Sequence, residues 1–220
     1  HLVVTGDLST TSHPKEFASA KQFLTKIESL GISVHTLPGN HDNYTKRDFA
    51  KKTFYQFFNT PSKDTGISIK FLSANFWLIT LDTTLATSLV SSHGYFSPKI
   101  EKHLEQALQA MPKDAKIILA NHFPLFDQES PRKSLRRSNN LRALILKYPQ
   151  ITFYLHGHTH AHCIADLRES HLPIILDCGC TPHKETGAFH IIEMEKERYN
   201  VKVFRFSESW HSSQEVSFYV

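Results

Sequence analysis

Four times along this chain a short apolar run ends in residues of the kind that form tight turns or hold metal ions. His1–Thr5 runs into Gly6-Asp7, Ile32–Leu37 into Gly39-Asn40-His41-Asp42, Lys116–Ala120 into Asn121-His122, and Ile151–Leu155 into His156-Gly157-His158-Thr159-His160. Several of these runs are short, β-branched and almost continuously apolar, as strands are when both faces are covered. In an open α/β sheet the carboxyl ends of the strands lie along one edge, and that edge is where ligands bind. Each polar end taken alone is ordinary turn chemistry. Four of them on one edge make a site.

The gathered set holds a carboxylate, amides and several imidazoles. Mixed nitrogen and oxygen donors suit Mn, Fe, Zn or Ni better than Ca or Mg, which prefer oxygen shells. His158 and His160 are one residue apart, so on a strand they point the same way. The chain carries 15 histidines, and several fall beside Gly, Asn or Asp at the ends of apolar runs rather than on helix faces.

Further strands are expected at Phe76–Leu81, Pro173–Leu176, Phe189–Glu193 and Val201–Phe206. The last of these follow one another with no helix between them, which predicts antiparallel pairing. Helices are expected over Ser12–Leu30, from Thr45 through Phe57, from Ser97-Pro98 to Met111, and from about Asn140 to Tyr148, with capping and stop signals at their ends. The stretch from Phe123 to Asn139 is the most loop-like, and no linker or repeat divides the chain. Residues 1–220 therefore read as one domain of the α/β class.

Composition narrows the function classes. No stretch approaches the roughly 20 apolar residues of a membrane helix. The net charge of +4 is mild and shows no broad basic stripe, so nucleic acid is not favoured as a partner. Cys163, Cys178 and Cys180 lack metal-finger spacing, which predicts small buried free thiols in a reducing cytoplasm.

In order and strand context, Gly6-Asp7, Gly39-Asn40-His41-Asp42, Asn121-His122 and Gly157-His158-Thr159-His160 resemble the motifs of the calcineurin-like metallophosphoesterase superfamily, across essentially the whole chain. Gly6-Asp7-Leu8-Ser9 together with Leu37-Pro38-Gly39-Asn40 is most similar to the branch that includes bacterial class III cyclic-nucleotide phosphodiesterases. The resemblance implies a four-layer α/β/β/α sandwich of two mixed β-sheets flanked by helices. It implies a binuclear hydrolase of phosphate esters, phosphodiesters favoured, acting on a small phosphorylated substrate with two divalent metal ions such as Mn, Fe, Zn or Ni. By the same resemblance Asp7 bridges the metals, Asn40, His122 and His158 bind the second, and His160 binds the first. A metal-bridging hydroxide attacks phosphorus, His41 protonates the leaving oxygen, and Asp42 orients and charges the imidazole. Related readings on the same fold are a sugar-nucleotide or lipid pyrophosphatase of the UDP-diacylglucosamine hydrolase type, and a non-catalytic scaffold like the retromer subunit, although a scaffold is expected to lack His41.

One family element is absent. The Asp-x-His that normally precedes Gly-Asp on an earlier strand is not in these residues, which start at His1. The expectation is an N-terminally truncated chain with its first strand missing, binding closer to one metal than two. Beyond the motifs, Arg136 and Arg137, in a basic loop with Arg132 and Lys133, are candidate anion holders, and His93 beside Gly94 is a candidate substrate contact. His162 and the three cysteines are expected in packing around the site, and Phe54–Phe58 on a buried helix face.

Overall fold

The computed structural model describes residues 1–87, 91–127, 130–183 and 187–219. In chain order the elements are β1 (Leu2–Val4), α1 (Pro14–Glu28), β2 (Val34–Thr36), α2 (Lys46–Lys51), α3 (Phe54–Phe57), α4 (Ser62–Thr65), β3 (Ile67–Ser73), β4 (Phe76–Leu81), β5 (Gly94–Tyr95), α5 (Pro98–Ala110) and β6 (Lys116–Ala120). There follow β7 (Leu135–Arg136), α6 (Ser138–Lys147), β8 (Ile151–His156), β9 (His162–Asp166), β10 (Ile174–Cys178), β11 (Ala188–Met194), β12 (Arg198–Ser207) and β13 (Ser209–Tyr219).

The central sheet has six strands in the order β3-β4-β6-β8-β10-β9. Strands β4, β6, β8 and β10 run parallel, and β3 and β9 close the edges antiparallel. Alternate residues of the parallel strands enter different cores, as a sheet covered on both faces requires. Ile79, Leu81, Ile117 and Leu119 pack under α5 and α6 with Leu104, Leu108, Leu141 and Leu144. Phe76, Leu78, Ile118 and Ala120 face the other way, onto a second β layer that contributes Leu37, Val3, Tyr199, Val201 and Phe218. Outside that layer Phe17 and Leu24 of α1 pack with Phe54 and Phe58. The four-layer sandwich is thus as expected, and Phe54 and Phe58 are the buried face predicted for that run.

The second layer comes in two pieces. β1 and β2 form a parallel pair, while β11, β12 and β13 form an antiparallel meander, and no ladder joins the two among the described residues.

Helix ends follow local chemistry. His13 caps α1 by accepting from the backbone of Lys15, and the Glu16 carboxylate accepts from the His13 N–H, ahead of Pro14 at the first turn. The helix expected from Thr45 to Phe57 instead breaks in two. Thr45 Oγ1 caps α2 at Asp48 N, 3.1 Å away, but Lys52 closes it in the left-handed conformation, with φ of 50°. The segment from Phe123 to Asn139 holds β7 and the start of α6, with residues 128 and 129 outside the described set.

Candidate metal centre

The carboxyl ends of β1, β2, β6 and β8 do converge. Two glycines make the close approach possible: a Cβ on Gly6, which has φ of +101°, would lie 2.6 Å from Gly39 N and 2.7 Å from His122 Nδ1, and one on Gly39 would meet the carboxylate of Asp7. The strand-end turns therefore cross with no side chain between them, leaving Asp7, Asn40, His122 and His158 around one point.

Asn40 Oδ1 lies 2.9 Å from His122 Nε2 and 2.8 Å from His158 Nδ1, and those two nitrogens are 3.2 Å apart. Asp7 Oδ2 stands 3.6 Å from His122 Nε2. Each imidazole is anchored at its far nitrogen by a backbone carbonyl, His122 Nδ1 donating to Thr5 O at 2.8 Å and His158 Nε2 to Lys133 O at 2.9 Å. A carbonyl only accepts, so those far nitrogens carry protons, and the near nitrogens are the ones turned toward Asn40 and Asp7. Burial first, and then neighbouring His122, pushes the pKa of His158 down to about 4, which keeps it neutral. Asn40 Oδ1 and the two near ring nitrogens thus face one another beside a carboxylate. Carbonyl-anchored imidazoles are the arrangement of metal-ligating histidines, and the donor set fits a divalent cation.

Counting only His, Cys, Asp and Glu, no three side chains among the described residues form a ready-made metal shell. Asn40, buried to 3% exposure, knits this group together.

His160 is placed differently. Gly157 to His160 form a turn rather than a strand, with His158 and His160 both in the left-handed region at φ of 69° and 57°. The alternation that would align two strand residues therefore does not apply. His158 points inward, whereas His160 is exposed, with no hydrogen bond or ion pair to the rest of the cluster. Asp7 too is left-handed, at φ of 56°, and such non-glycine residues gather at functional sites.

His41 begins a single 3-10 turn after Asn40. Its backbone N–H donates to Asp7 Oδ1 at 2.9 Å, its ring stacks on Tyr44, and Nδ1 donates to Thr10 O at 2.8 Å. Asp42 does not orient that ring. Fully buried, its carboxylate accepts from Leu8 N, Ser9 N, Ser9 Oγ and Gly39 N at 2.9–3.2 Å. It clamps the Asp7 turn to the Asn40 turn, and burial, reinforced by the charge of Asp7, raises its pKa to about 7. The orienting group for His41 is the Thr10 carbonyl.

The basic loop divides in the same way. Arg137 is committed to structure, paired with Glu101 and donating through Nε to Phe96 O at 3.0 Å. Arg136 is exposed. β5 and β7 pair in parallel, Gly94 with Leu135 and Tyr95 with Arg136, which puts His93 near the Arg136 charge. Gly94 lies against Phe123, whose ring is 4.7 Å from that of His158, so this ribbon borders the cluster. Cys163 is exposed and Cys178 and Cys180 are half-buried, all free; Cys163 is therefore not in the core, because β9 is an edge strand. Sequence reasoning passed over Thr87, whose hydroxyl donates to Asn40 O at 2.6 Å and whose N–H donates to Asn43 O at 2.8 Å, fixing the Asn40 turn from a neighbouring loop.

With this geometry in view, the chain can be set beside known proteins. A sequence family described as calcineurin-like phosphoesterase matches residues 1–162. A 3',5'-cyclic-nucleotide phosphodiesterase of Nostoc sp. is 29% identical over 161 residues, covering 72% of this chain and 55% of that protein. The 3',5'-cyclic adenosine monophosphate phosphodiesterase CpdA of Escherichia coli K12 is 27% identical over 168 residues, covering 72% and 54%. The chain spans about half the length of these curated relatives. A dimetal phosphatase from Danio rerio shares the fold with a TM-score of 0.70 at 13% identity, covering 99% of this chain and 82% of that one.

Proposed function

The chain belongs to the calcineurin-like phosphoesterase family, and from that premise we propose that it hydrolyses a phosphodiester of the cyclic-nucleotide class at a centre for divalent metal ions. The observation that carries this reading is the convergence of imidazole nitrogens and the Asn40 oxygen beside Asp7. Asp7, Asn40, His122 and His158 would hold metal, and His160 stands at the rim of the same edge. Divalent cations bound there supply Lewis-acid activation of water and neutralise phosphoryl charge.

His41 supplies what the cations do not. With Nδ1 engaged on Thr10 O, Nε2 is left to carry a proton to the departing alkoxide, and an imidazole suits that transfer near neutral pH. The His41 N–H on Asp7 ties the position of this acid to the carboxylate of the metal cluster. Exposed Arg136 and neighbouring His93 flank the edge and are suited to hold a phosphoryl or ribosyl group. A diester is favoured over a monoester because a leaving-group acid is present and because both curated relatives carry cyclic-nucleotide names. The presence of His41 also favours an enzyme over a scaffold.

The test is Mn-dependent hydrolysis of bis-p-nitrophenyl phosphate and of cyclic AMP by this protein beside His41→Asn. Hydrolysis of cyclic AMP that His41→Asn removes, with bis-p-nitrophenyl phosphate affected far less, supports the reading. Cyclic AMP hydrolysis that survives the substitution unchanged rejects His41 as the acid.

A further inference from the structure

Between β2 and the β3–β4 corner of the central sheet lies a cavity of about 90 Å³, away from the metal-ligand cluster. Register explains its walls. Ser68 pairs with Thr80 and Lys70 with Leu78, and side chains two apart on a strand share a face. Leu78 belongs to the core between the two β layers, so Thr80, Ser68 and Lys70 are turned toward that same space, opposite His35 on β2. Exposed Asn59 and Lys70 form its mouth.

Two features set this cavity apart from a packing defect. Thr80 is 4% exposed, and its hydroxyl has no hydrogen-bond partner, a state that is costly unless something in the cavity answers it. The polar lining also has one electrostatic sense: hydroxyls, an amide, an imidazole and an ammonium group, with no Asp or Glu among the lining residues. The Lys70 charge reaches into this space, because His35 is held below its ordinary pKa by burial and then by Lys70. The volume exceeds what a single water molecule needs.

We propose that this cavity binds one small oxyanion of the phosphate or sulfate class, held by the Thr80 and Ser68 hydroxyls inside and by Lys70 at the mouth. The site does not depend on the hydrolytic reading. It lies on β2 just ahead of Asn40, so an occupant would brace the strand that delivers Asn40 to the cluster.

The experiment is calorimetric titration of the protein, stripped of metal and held in chelator, with inorganic phosphate at low ionic strength. Wild type is expected to bind phosphate saturably at one site. Lys70→Met, at an exposed position that should not disturb folding, is expected to weaken binding about tenfold, the loss of one charge-assisted contact. Thr80→Val should weaken it by a similar factor, while leaving the phosphate-free melting temperature unchanged or higher because an unpartnered hydroxyl is removed. His122→Ala should bind as wild type does. Absence of saturable binding in the millimolar range overturns the proposal. So does binding that survives Lys70→Met but is lost in His122→Ala, which would put the anion at the metal-ligand cluster.

Discussion

His122 Nε2 and His158 Nδ1 face each other at 3.2 Å, each ring pinned from behind by a backbone carbonyl. Nothing in ordinary core packing calls for two imidazole nitrogens turned toward one another and toward an amide oxygen. A cation held between them would make that pairing ligation, and the following expectations come from the surrounding geometry.

His41→Asn keeps a side chain that can reach Thr10 O but cannot donate a proton as an acid. Catalysis of cyclic AMP hydrolysis should fall about 10²–10⁴-fold in kcat. A p-nitrophenolate leaving group barely needs protonation, so its rate should fall far less. Equal losses on both substrates would mean that His41 acts in binding rather than as the acid.

Asp42→Ala strips four donors of their acceptor, three of them backbone N–H groups in the turns that carry Asp7 and Asn40. The expected cost is about 2–4 kcal/mol in chemical denaturation of the metal-free protein. Ser9→Ala, which removes one of those donors together with its side chain, should cost about 1 kcal/mol. A loss below 1 kcal/mol for Asp42→Ala would show that the clamp is dispensable.

Arg136 and Arg137 are neighbours with opposite expectations. Arg136→Met should raise KM for an anionic diester several-fold and leave stability alone, because its guanidinium is exposed at the rim. Arg137→Met should leave KM alone and lower stability by about 1 kcal/mol, through loss of Glu101 and Phe96 O. Steady-state kinetics and denaturation of the two variants separate these effects, and a raised KM in Arg137→Met would reverse the assignment.

His190 provides a dependence on pH outside the cluster. Its ring packs edge-on to His162, its Nε2 is buried without a partner, and burial followed by His162 pushes its pKa down to about 4. The unfolded chain takes up this proton near pH 6.5, whereas the folded chain resists until about pH 4. The contribution is therefore complete above about pH 6.5 and is lost as pH falls toward 4, with a total of order 2–3 kcal/mol. His190→Gln should flatten the fall in stability across that window relative to wild type; parallel curves would contradict it.

Much of this was legible in the residues. β4 and β6 begin and end where their apolar runs do. Gly-Asp and Gly-Asn-His-Asp end the β1-β2 pair and Asn-His ends β6 of the central sheet, so the motifs met across two stacked layers rather than along the edge of a single sheet. What escaped the sequence depends on backbone atoms and on conformation. The carbonyls of Thr5, Thr10 and Lys133 orient three histidines, yet a carbonyl has no residue signature. Asp42 looked like the partner of His41 because it is adjacent in sequence, but the 3-10 turn sends it the other way, into the amides of the Asp7 turn. His160 parted from His158 because two left-handed residues replace strand alternation. The edge strand β3 carries an apolar–polar alternation, Ile67-Ser68-Ile69-Lys70-Phe71, that the sequence reading passed over, and its pattern is inverted at the edge, where Ile69 and Phe71 are exposed.

The most direct measurement is Mn²⁺ binding to this protein, followed by the loss of the free-ion electron paramagnetic resonance signal on titration. The account predicts saturable binding that His122→Ala and Asn40→Ala each weaken by an order of magnitude or more, with wild-type far-ultraviolet circular dichroism retained. Absence of binding, or binding indifferent to both substitutions, would contradict the claim that these strand ends exist to hold a metal.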